Sequence, residues 1–99
     1  MKVTYDEYLA FGLFFYLIES LPVSTPVTKT VLIENVAFDG DLSTSEASDV
    51  ISGMVDKGYF NISTACGITK DEVTITKLGD ERYESELERL VSSSSLGLH

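Results

Sequence analysis

Leu9 to Ile18 is an unbroken run of apolar residues interrupted only by glycine, and it dictates most of what this chain can become. Ten residues are too few to span a bilayer, which needs about 20. The run sits between a start signal and a stop signal. Thr4-Tyr5-Asp6-Glu7 has the pattern of a capping box, and Pro22 ends helical conformation downstream. A first helix is therefore predicted from about Tyr5 to Ser20. Its apolar residues cover nearly the whole circumference, so it must be buried on more than one side. We assign Leu9, Leu13, Tyr16 and Leu17 to the core. Phe11, Phe14, Phe15 and Ile18 then need a second cover. A chain of 99 residues forms a single domain with one modest core, so that cover is either the last helix or another copy of the chain. Asp6 and Glu7 before the run, against Lys2 alone, do not make the positive start of a signal peptide. The expected compartment is cytoplasmic, and the lone Cys66 fits a reducing environment.

Downstream, Leu21 to Val27 holds Pro22 and Pro26 and reads as a connector or a very short strand. Thr28 caps a short second helix with Leu32, Ile33, Val36 and Ala37 on one face, ending before Asp39-Gly40-Asp41. Ser43-Thr44-Ser45-Glu46 is a second capping box. It opens a helix with the stripe Ala47, Val50, Ile51, Met54 and Val55, closed by Lys57-Gly58. Tyr59–Ser63 and Val73–Thr76 alternate like the strands of a hairpin with a longish loop. Thr76 then caps a last helix to about Val91, with the apolar edge Tyr83, Leu87, Leu90 and Val91. Residues 92–99, serine-rich, are expected to form a disordered tail after a single domain over 1–91.

The expected class is thus α+β, mostly α. The second and third helices joined by a short turn match a helix-turn-helix, and the hairpin after them a wing. Three stretches carry a family resemblance: Thr28-Lys29-Thr30, the run from Ser48 through Lys57-Gly58-Tyr59-Phe60, and Val73-Thr74-Ile75-Thr76-Lys77-Leu78-Gly79-Asp80-Glu81-Arg82-Tyr83. Together they resemble winged-helix regulators of the PadR/MarR type, over roughly residues 5–91. The resemblance implies a winged helix-turn-helix fold with a three-helix core, a hairpin wing and a C-terminal helix. It also implies a third helix that enters the DNA major groove, and dimerisation through terminal helices.

Catalytic and metal chemistry find little support. Cys66 and His99 cannot by themselves make a zinc site, and one imidazole excludes a histidine-based triad or dyad. Asp39-Gly40-Asp41-Leu42-Ser43 begins like a calcium loop. Thr44 stands where the pattern needs glycine, and Val50 where it needs a bidentate acid, so it reads as a turn. Glu81, Glu84, Glu86 and Glu88 alternate with Arg82 and Arg89 as a solvated helix face. No enzyme, cofactor or metal is expected.

Two functions remain. With 16 acidic residues against 7 basic ones, the net charge of −9 excludes a generically basic nucleic-acid binder. The first reading is a small dimeric transcriptional regulator that binds DNA modestly. Its contacts would be Lys29, Ser45, Ser48, Ser52, Lys57 and Lys70, with about three phosphates neutralised per monomer. The second is an acidic winged-helix protein-interaction module, in which Asp49 and Asp56 meet a basic partner and DNA is not bound directly. The expected homodimer interface comprises Phe11, Phe14, Phe15 and Ile18 with Tyr83, Leu87, Leu90 and Val91.

Overall fold

The computed structural model of this chain describes residues 3–23, 25–64 and 71–97. Four helices and one antiparallel hairpin follow in the order α1 (Tyr5–Ser20), α2 (Lys29–Gly40), α3 (Thr44–Asp56), β1 (Phe60–Thr64), β2 (Asp71–Ile75) and α4 (Lys77–Gly97). The class is α+β and mostly helical, and the order is compatible with a winged-helix layout. Phe60 pairs with Ile75 and Ile62 with Val73, which puts alternate side chains of both strands on the core side. The connector adds a short third lane to this sheet. The Val27 carbonyl accepts from the Val73 N–H at 2.8 Å, and Thr28 bridges Glu72.

Local capping explains why the helices start and stop where they do. The Thr4 hydroxyl accepts from the Glu7 N–H while Glu7 Oε1 accepts from the Thr4 N–H. Ser43 and Glu46 repeat the arrangement at α3, and the Thr28 hydroxyl caps α2. At the end of α3, Gly58 takes φ +82°. Its N–H donates to the Val55 carbonyl and the Tyr59 N–H to that of Met54, a Schellman closure. α2 runs on through Gly40, past its expected end, because Asp41 adopts the left-handed conformation at φ 54° and Leu42 closes back onto Ala37. α4 likewise extends to Gly97 rather than to about Val91. Serine is an acceptable helix residue, and adding residues to an existing helix costs far less than starting one.

The core sits where α1 crosses α2 and α3 above the hairpin. Ala47, Ile51, Met54, Leu32, Val36, Phe60 and Val73 are buried, and Val50, Val55, Ile33, Ile62 and Ile75 pack against them half-buried. The face of α1 differs from expectation. Ala10, Phe11, Leu13, Phe14 and Leu17 are buried, whereas Leu9 is half-buried and Tyr16 is exposed. Phe11 lies 5.5 Å from the ring centres of both Phe60 and Tyr83, and Phe14 lies 5.3 Å from Phe60. Phe11 and Phe14 are therefore core residues within one chain and do not belong to an intermolecular interface. An apolar run with no polar face has no register of its own, so the neighbouring helices chose it. The first turns of α4 supply the second cover: Tyr83 stacks on Phe15 at 5.1 Å and lies 5.6 Å from Tyr8. Burial, with Tyr8 alongside, pushes the Tyr83 phenol above its ordinary range.

Gly79 fixes how α4 leaves the hairpin. A Cβ there would lie 2.2 Å from the Tyr59 carbonyl oxygen. The Thr76 hydroxyl accepts from the Gly79 N–H at 3.0 Å and donates towards the Gly58 and Tyr59 carbonyls. One threonine and one glycine thus bind the end of α3, the hairpin and the start of α4 into a single joint.

Candidate functional site

α3 carries three carboxylates, Glu46, Asp49 and Asp56, and no cation between Thr44 and Asp56. Ser45, Asp49, Ser52 and Asp56 are exposed and Ser48 is half-buried, on the side away from Ala47, Ile51 and Met54. The outward face is therefore the one expected from the stripe. Its side chains are short, and its charge is negative. Glu46 is spent partly on its own helix, since its hydrogen bonds to the Ser43 backbone and hydroxyl hold its carboxyl below the usual range.

Lys57, at the C-cap of α3, is committed elsewhere. Its Nζ donates to Glu7 Oε2 at 2.5 Å. Glu7 is 5% exposed, and its other oxygen already serves the Thr4 N–H. Burial pushes the Glu7 carboxyl up, but the hydrogen bonds from Lys57 and Thr4 and the lysine charge outweigh it and leave it lowered. The Lys57 ammonium is raised in turn by its hydrogen bond to Glu7. The Lys57 side chain is still 41% exposed, so a phosphate reaching it would compete with the buried Glu7 carboxylate.

No protein-family profile, curated protein or solved structure matches this chain. The functional reading rests on the surface itself.

Of the other expected DNA contacts, Lys29 is half-buried at the start of α2, and Lys70 lies outside the described residues. Of the expected dimer residues, Ile18 is 50% and Val91 63% exposed, with Leu87 and Leu90 half-buried. On α4, Glu86 and Arg89 form an i,i+3 ion pair. Among the described residues, no three His, Cys, Asp or Glu side chains come together as a metal-binding group, and no helix is long and apolar enough to cross a membrane.

Phe38 was not anticipated. It is 87% exposed in the last turn of α2, one turn after exposed Glu34 and beside exposed Asp39. The signal lay in its position outside the Leu32, Ile33, Val36, Ala37 face. Beyond its place in the capping box, Glu7 shares the helical stripe of Ala10, Phe11 and Phe14, and an ionised carboxylate there requires a cation; that spacing is the signal for its pairing.

Proposed function

We propose that this chain is an acidic winged-helix protein-interaction module that presents the outward face of α3 to a basic protein surface. The observation that carries this reading is the outward face of α3, where Ser45, Asp49, Ser52 and Asp56 are exposed and no cation lies between Thr44 and Asp56. Duplex DNA would meet this face with like charge, and each phosphate contact needs a cation to displace counterions. A Lys/Arg-rich protein surface meets it with opposite charge, which raises the rate of encounter and fixes orientation. Phe38, exposed among Glu34, Asp39 and Asp41, supports the same reading. An exposed aromatic is the residue type that anchors protein interfaces and has no partner on a phosphate backbone.

The competing reading is a DNA-binding transcriptional regulator. The charge-reversed pair Asp49→Lys with Asp56→Lys separates the two. Both residues lie on the outward face, so the fold survives. The variant should lose binding to a Lys/Arg-rich peptide, measured by fluorescence anisotropy, while its thermal midpoint stays within a few degrees. Unchanged peptide binding would sink the proposal.

Self-association belongs to this reading in a reduced form. The molecule measures 55 × 27 × 26 Å, and α4, at 21 residues, packs chiefly on α1. The stripe Leu87, Leu90 and Val91 continues beyond the Tyr83–Phe15 contact, and a second copy is the commonest cover for such a stripe.

A further inference from the structure

A cleft of about 380 Å³ is lined by α1, the connector and β2, with no α3 residue in its wall. Phe14 and Ile18 of α1 form one wall, Pro22 and Pro26 of the connector another, and Val73 and Ile75 of β2 the third. Both prolines of the chain are in this lining, each with its own φ restricted by the ring. The Val27 to Val73 hydrogen bond ties that connector to β2. Its rim is apolar and wet: Val23 is 96% exposed, and Ile18 stands half out of the surface. Among the described residues of the lining, Glu72 is the one that is charged, and it is exposed.

We propose that this cleft is a second docking site of the interaction module, taking a short segment of a partner protein in which an apolar side chain is flanked by lysine or arginine. Shape and charge each carry part of the argument. Ligand pockets for small molecules enclose most of their ligand, whereas this cleft has an open apolar rim suited to a side chain arriving on a polypeptide. The exposed Glu72 carboxylate, on a chain of net charge −9, selects cationic flanks and repels anionic ones. The proposal extends the reading of α3 as a basic-protein contact, yet it uses residues of α1, the connector and β2 that the α3 face does not contain.

The test titrates the ¹⁵N-labelled protein with an acetylated, amidated pentapeptide of alternating lysine and leucine, and in parallel with its glutamate–leucine counterpart. The lysine peptide should shift the amides of Ile18, Val27, Val73 and Ile75, and the glutamate peptide should not. Glu72→Gln should weaken lysine-peptide binding about two- to five-fold, the range of one exposed ion pair, and Glu72→Lys should reverse the preference. Ile18→Ser with Val23→Ser, both at exposed positions, should remove the cleft shifts while the rest of the spectrum stays in place. Equal response to both peptides, or shifts confined to α3 amides, overturns the cleft proposal; the second outcome leaves the α3 reading standing. Concentration-dependent shifts at the cleft without peptide would make a second copy its occupant and overturn it as well.

Discussion

Glu7 and Lys57, fifty residues apart in sequence, meet at 2.5 Å and join the first turn of α1 to the last residue of the α3 cap. The contact gives a carboxylate lying in the buried stripe of α1 its counter-charge, while the lysine side chain stays 41% exposed. Lys57→Met leaves Glu7 buried without its counter-charge and should destabilise the fold by about 1–3 kcal/mol in urea unfolding at neutral pH. Glu7→Gln should cost less, because an amide needs no counter-charge.

The pair also gives a pH dependence. The folded-state Glu7 carboxyl is lowered, so its contribution to stability is present above the ordinary carboxylate range and is lost as pH falls through the lowered folded value. The folded-state Lys57 ammonium is raised, so its contribution is present below the ordinary lysine range and is lost as pH rises through the raised value. Urea midpoints from pH 7 downward should fall more steeply in the wild type than in Glu7→Gln. Parallel acid limbs would show that the pair carries no linkage.

Three glycines should respond to alanine with different signs. Gly79→Ala drives a Cβ into the Tyr59 carbonyl and should destabilise by about 3 kcal/mol or more. Gly58→Ala forces a side chain into φ +82° and should cost about 1–2 kcal/mol. Gly53 has nothing within 4 Å of its Cβ position inside α3, so Gly53→Ala should stabilise by about 0.5–1 kcal/mol. Thermal midpoints rank all three.

The parts of the fold that sequence revealed are the local ones. Thr4–Glu7, Ser43–Glu46 and Gly58 each act within one turn of chain, so spacing alone identifies them. The α3 stripe was legible because polar residues separate its apolar ones. α1 offered no such contrast, and its buried face was set by contacts with Phe60 and Tyr83 far along the chain. For the same reason the α3 face is legible in sequence while the pairing of Lys57 is not: its partner Glu7 is fifty residues away and also serves as a cap.

Self-association is expected to follow the residues still available after folding. Leu87→Glu with Leu90→Glu should abolish concentration-dependent mass in sedimentation equilibrium and leave a folded monomer. Phe14→Glu should instead unfold the chain, because Phe14 is buried within one copy. A wild type that sediments as a monomer at all concentrations, or a double variant that associates as the wild type does, contradicts this expectation.

Core packing around Ile51 can be checked separately. Ile51 is fully buried on α3, within the core that α1 and α2 share, and Ile51→Ala should cost about 2–5 kcal/mol. A cost below 1 kcal/mol would place α3 in a different register.

The most direct test is a titration of random duplex DNA into the wild-type protein at about 50 mM and 200 mM salt, where a phosphate-binding surface reveals itself by its salt slope. With Lys57 paired to Glu7 and no cation between Thr44 and Asp56, no binding should be measurable at either concentration. Binding at the lower salt that weakens at the higher, with a slope reduced by about one unit in Lys57→Ala, would contradict the account.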